Sequence, residues 1–145
     1  MHEAPKSSVE KWVYVKQDNR GRLKSFGSEL INGELTTFLD EFGDFFLYND
    51  TEAPNIEIIN LEPSMKSPWK LRVRDNLIPD GLAEDFKYYA KANNQWLLFK
   101  FDKKNDLLIF DDFHKINSDR VIHFSFEAID ASGNSSQLKR TIIAQ

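Results

Sequence analysis

The chain has 145 residues, of which 41% are hydrophobic and 29% charged, and carries a net charge of −4 at neutral pH. That size suits one domain with a good core, or a small domain beside part of another, and the composition is globular rather than disordered. The acidic balance argues against a nucleic-acid footprint, which needs concentrated positive surface, and the absence of Cys excludes disulfides, thiolate chemistry and cysteine-held zinc.

In chain order, residues 1–10 read as a disordered leader, with Pro5, Ser7 and Ser8 in a polar stretch. They are too polar for a signal peptide, so an export signal is expected outside this chain. No later run reaches the roughly 18 apolar residues of a membrane helix, so no membrane span is expected. Over residues 11–50, short apolar runs at 12–16, 23–26, 35–39 and 45–48 predict a small antiparallel β unit. Its turn signals are Asp18-Asn19-Arg20-Gly21, Asn32-Gly33 and Phe42-Gly43. Residues 49–54 are polar, end at Pro54 and read as a linker.

Residues 54–145 predict an all-β fold, an Ig-like antiparallel β-sandwich. Seven strand candidates follow at sandwich spacing, over 56–60, 69–75, 86–91, 95–101, 106–110, 121–129 and 138–144. The stretch 82–92 has alanines and lysines that suit a helix. A strand is the better expectation, because Phe86, Tyr88 and Ala90 alternate with Lys87, Tyr89 and Lys91. Asn93-Asn94 is a two-residue hairpin signal, and 103–105 is a second tight reversal. The longest strand places Ile122, Phe124, Phe126 and Ala128 on one face and His123, Ser125 and Glu127 on the other. It runs into Asp130-Ala131-Ser132-Gly133-Asn134, where Gly133 and Asn134 are expected to supply positive φ for the reversal.

Three sets of residues are candidate sites. Asp75, Asp80, Asp130 and Asn134, with Asp111 and Asp112, are hard oxygen donors at loop positions and are the calcium candidates, although none forms an EF-hand loop. The plainer alternative has Asp130 and Asn134 bonding their own turn backbone while Gly133 takes the left-handed conformation. Lys70, Arg72 and Arg74 alternate with Trp69, Leu71 and Val73 and form a basic stripe able to meet an anionic glycan. Its alternative is a solvated outer face, paired loosely with a neighbouring strand through Glu57. Tyr89 and Trp96, near Tyr88 and Phe99, could stack on sugar rings. Trp96 and Leu98 share one face and Leu97 and Phe99 the other, and one of those sets must fill the core. His123 is expected to face outward with no catalytic partner. No cofactor other than calcium is expected.

Several of these residues fall in an order that resembles the C-terminal region of lysostaphin-type zinc peptidases of Bacteroidetes. The bridge is Phe42-Gly43, Phe45, Asp50, Ala53-Pro54 and Ile56, followed by Asp75 at a strand end and by Asp80-Gly81-Leu82 with Tyr88 or Tyr89. Trp96-Leu97-Leu98 with Phe101-Asp102-Lys103-Lys104 and then Asp130 to Asn134 complete the series, with Pro79 and Phe101 as departures from the family pattern. The resemblance implies an exported, bacterial protein of the periplasm or cell surface, and a non-catalytic accessory region that positions a peptidoglycan endopeptidase or binds envelope partners. Such enzymes hold zinc with a His-x-x-x-Asp pair and a His-x-His pair, which leave a coordination position open for the attacking water. The only histidines here are His2, His114 and His123, and neither pair occurs. The chain itself is therefore expected not to be an enzyme, with the catalytic domain lying N-terminal to Met1 in the parent protein. The alternative is a free-standing glycan-binding or adhesion module, recognisable by solvent-facing aromatics.

Overall fold

The computed structural model describes residues 11–78, 86–116 and 120–144. In chain order the strands are β1 (Trp12–Gln17), β2 (Leu23–Ser25), β3 (Glu29–Ile31), β4 (Glu34–Thr36), β5 (Phe46–Asn49), β6 (Asn55–Asn60) and β7 (Trp69–Arg74). There follow β8 (Leu77–Ile78), β9 (Lys87–Ala92), β10 (Gln95–Leu97), β11 (Lys100–Asp102), β12 (Leu107–Phe110), β13 (Val121–Ile129) and β14 (Ser135–Ile143). A 3-10 turn spans Phe113–Lys115. The fold is all-β, as the alternating sequence requires.

The two larger sheets have the orders β10-β9-β13-β14 and β11-β12-β7-β6, with every pairing antiparallel. With β6 as strand A, they are C′-C-F-G and A-B-E-D, the strand distribution of an Ig-like sandwich. Their inner faces bury Trp69, Leu71, Val73, Phe99, Phe110, Ile122, Phe124 and Phe126 in one cluster. Trp69 is its centre: its ring lies 5.3 Å from Phe124 and 5.9 Å from Phe110, centroid to centroid. The indole N–H does not go unpaired, since it donates to the Glu62 carbonyl at 3.1 Å.

A third sheet, β5-β1-β2-β8, comes from the small unit, with β3 and β4 as a separate hairpin. Its core is slight, being Val13, Val15 and Leu77 with Leu23 and Tyr48 against them. Asn32 and Gly33, at φ 51° and 82°, turn β3 into β4, and Asn93 and Asn94, at φ 47° and 65°, turn β9 into β10. Both are reversals in which two consecutive residues must adopt positive φ.

The structure differs from the sequence expectation at several places. The small sheet is not wholly antiparallel, because β8 leaves the sandwich strand β7 and pairs parallel with β2, Leu23 opposite Leu77. Two residues are too few to show a period, and so β8 leaves no pattern in the sequence; β3, with its exposed Leu30 and Ile31, is similar. The run 95–101 is two strands in different sheets, crossing at Leu98-Phe99. Passing between sheets that wrap one core keeps Leu97 and Phe99 inward and Trp96 and Leu98 outward, so the alternation hides the break. Asp106 lies in the turn before β12 at φ 53°, and only Gly133 of the 130–134 turn has positive φ. The last strand starts at Ser135, since polar Ser135, Ser136 and Gln137 pair with Ile129, Ala128 and Glu127 before the apolar pattern begins.

The crossing at Phe99 exposes a cost that Tyr88 meets. The Tyr88 hydroxyl donates to the Phe99 carbonyl at 3.0 Å and accepts from the Phe99 N–H at 2.9 Å, replacing the ladder partner lost between sheets. Tyr88→Phe keeps the ring stacked at 5.5 Å on Phe126 but leaves two part-buried backbone groups unmade. The expected loss is about 1–3 kcal/mol in a urea melt, with an unchanged slope.

Candidate metal centre at the joint between the sheets

Asp50, Asp75 and Asp130 stand where strands end. Asp50 follows β5 and begins the passage to the sandwich, Asp75 follows β7 and begins the passage back to β8, and Asp130 closes β13. Folding brings one carboxylate oxygen from each within 4.8 Å of the others. Asp50 is 1% exposed and Asp130 6%, while Asp75 is partly buried. Three carboxylates so close, with so little water, need either a proton or a cation among them.

The 130–134 turn is built as its sequence requires. Asp130 Oδ1 accepts from the Asn134 backbone N–H at 2.8 Å, Asp130 N–H donates to the Asn134 carbonyl at 3.0 Å, and Gly133 takes φ 82°. The alternative of a self-bonded turn is thus the geometry found, with an addition. The Asn134 amide donates to Asp130 Oδ2 at 3.0 Å and to the Asp50 carbonyl at 2.9 Å, and its oxygen accepts from Lys11 Nζ at 2.6 Å. Asn134 therefore braces the sandwich turn against the small unit on two sides. Its side-chain oxygen is taken by Lys11, so it serves as a brace rather than as a metal ligand.

Electrostatics distinguish the three acids. Burial, reinforced by the charges of Asp130 and Asp50, pushes the Asp75 carboxyl up to about 7. Burial also raises Asp130, against the hydrogen bonds from Asn134 that favour its charged form. Asp75 Oδ1 and the neighbouring Asn76 Oδ1 are buried and accept no hydrogen bond, although the Asn76 amide donates to Asp50 Oδ1 at 3.4 Å. Two buried acceptors without donors, beside three converging carboxylates, form the donor set of a hard cation. Oxygen ligands alone fit calcium and do not favour zinc.

No family model, no curated protein and no solved structure matches this chain.

Of the calcium candidates, Asp75 and Asp130 converge, and Asp80 lies outside the described residues. Asp111 and Asp112 are held in exposed ion pairs, with Lys100 at 3.1 Å and Lys115 at 2.6 Å. Asp50 was missed as a ligand because the 49–54 stretch reads as a linker. The usable signal was Asp50 itself, an acid at the end of a strand candidate and four residues before Pro54; the structure shows it buried rather than solvated.

The glycan candidates divide between opposite faces. Lys70, Arg72 and Arg74 lie on β7, in the A-B-E-D sheet, where Arg72 meets Glu57 at 3.3 Å; Lys70 and Arg72 are half-buried and Arg74 is exposed. Tyr89 and Trp96 lie on the outside of the C′-C-F-G sheet, 6.0 Å apart, while Leu97 and Phe99 fill the core. The basic stripe and the aromatic pair therefore do not make one site. His123 is exposed, as its alternation predicts.

Proposed function

We propose that this chain is a non-catalytic interaction region of an exported cell-envelope protein, of the kind that accompanies peptidoglycan metallopeptidases. Its carboxylate joint takes calcium and fixes the small sheet against the sandwich. The observation that carries this reading is the placing of Asp50, Asp75 and Asp130 at three strand ends on either side of the joint, within 4.8 Å of one another. With Asp50 and Asp130 buried, the cluster offers a polymer substrate no approach, whereas a bound ion would tie three strand ends together. The sequence resemblance supplies the cell-envelope context. The parent protein would carry the zinc-binding pairs, and this chain would position it or hold its target.

The test is incubation of the chain with purified peptidoglycan sacculi, with and without zinc. It is expected to sediment with the sacculi and to release no soluble fragments; zinc-dependent release would overturn the non-catalytic reading. A second reading, a free-standing glycan-binding or adhesion module, draws on the exposed Tyr89–Trp96 pair. The two readings share a binding surface and differ in whether the natural protein carries a peptidase.

A further inference from the structure

The outer face of the C′-C-F-G sheet carries an ordered row. Strand register places Trp96 opposite Lys91, Lys91 opposite Ser125 and Ser125 opposite Lys139, so one residue from each of the four strands lines up across the sheet. At ~4.8 Å between strands the row is about 14 Å long. Each step is close to the width of one sugar ring. Trp96 is 60% exposed at the edge, with Lys91 Nζ 4.0 Å over its ring and Tyr89 beside it. Beyond Lys91 the surface sinks into an open depression of about 510 Å³, whose lining includes Asn93, His123, Ser125, Lys139 and Thr141. That volume is within the ~300–1,000 Å³ of small-ligand sites.

The charge of the row is specific. The chain as a whole is acidic, at −4, yet Lys91, Lys139 and Arg140 all line this depression. No salt bridge among the described residues joins Lys91 or Lys139 to a carboxylate. Lysines one strand apart from a neutral hydroxyl, next to an aromatic edge, match a ligand that alternates apolar ring faces with carboxylates. The aromatic ring takes the C–H face of a sugar, and the ammonium groups take acid groups on the following rings. We propose that this face binds an acidic polysaccharide, with Trp96 stacking on a sugar ring and Lys91 and Lys139 meeting its carboxylates. This deepens the binding half of the proposed function, on which it rests for the class of partner, and does not involve the carboxylate joint.

The experiment is affinity electrophoresis of the full chain through gels containing polygalacturonate, with dextran as neutral glycan and oligothymidylate as competing anion. Polygalacturonate is expected to retard the chain, less so at high salt, while dextran does not. Trp96→Ala and the double variant Lys91→Gln/Lys139→Gln are each expected to weaken retardation about tenfold, since they remove the stacking and charge contributions respectively. Lys70→Gln, on the opposite face, is expected to leave it unchanged. Retention of full retardation by the double variant, equal retardation by dextran, or tighter binding of oligothymidylate would each overturn the proposal. Melting temperatures of all variants accompany the gels; should Trp96→Ala melt early, the double lysine variant decides. Sacculi binding that survives the double variant would defeat this assignment and leave the proposed function standing, whereas loss of sacculi binding by the unmodified chain would defeat both.

Discussion

In calcium-free buffer the protein is expected to lose stability as the pH rises from about 4 to about 7, and millimolar calcium is expected to reverse that slope. Asp75 has its folded value raised from 3.8 to about 7, so between those limits the folded chain binds more protons than the unfolded one. The contribution of protonated Asp75 is complete below the unfolded value and is lost as the pH passes through the folded one. Asp130 is raised as well and acts with the same sign. Water reaches Asp75, and screening reduces the effect to the order of 1–2 kcal/mol. Calcium competes with the proton for the same oxygens, so its stabilisation grows with pH and reaches ~2.7 kcal/mol at a hundredfold excess over Kd. Thermal melts across this range, with calcium or with chelator, provide the measurement. Asp75→Asn is expected to flatten the proton-dependent slope, raise the melting temperature at about pH 8 without metal, and abolish the calcium response. A melt indifferent to calcium at every pH would leave a proton-closed joint and remove the metal from the proposed function.

Asn134→Ala is expected to destabilise the chain by about 3–5 kcal/mol, more than loss of the Tyr88 hydroxyl. The substitution removes donors from Asp130 Oδ2 and the Asp50 carbonyl and strips Lys11 of its acceptor. These are buried or part-buried groups facing three acids, so the repulsion that Asn134 now moderates would be felt by all of them. Chemical denaturation gives the free energy. Limited proteolysis gives its location, with cleavage expected first between Asp50 and Pro54, where Asn134 holds the backbone. Asn134→Asp tests the same brace differently: it keeps the shape, turns a donor into a fourth carboxylate, and is expected to be tolerated only with calcium present.

The sandwich was legible because its strands bury one face each. Trp69, Leu71 and Val73 alternate with basic residues, and Ile122, Phe124 and Phe126 with polar ones, so period and burial agree. What escaped was structure without a period. β8 has two residues, and the passage at Leu98-Phe99 changes sheets without changing which side chains point inward. The candidate site was half legible for a related reason. Asp75 and Asp130 were marked by standing at strand ends, but their convergence is set by long-range packing, and Asp50 carried the look of a linker residue. The aromatic candidates were readable as a pair, and the register that aligns Trp96 with Lys91 and Lys139 became visible only once the order of four strands was known.

The excursion of β8 into the small sheet alters the mechanics of the molecule. Had 50–54 been the sole connection, the small sheet could swivel in any direction, like a weight on a cord. The chain instead crosses at Asp50 and crosses back at Asp75, and paired strands anchor both passages. With the return from β8 to β9, the chain ties the small sheet to the sandwich more than once, so the small sheet is strapped down rather than hung. Asp50 and Asp75 sit on two of those straps, and Asp130 faces them from the sandwich. A proton or an ion among the three would act as a clasp across the seam.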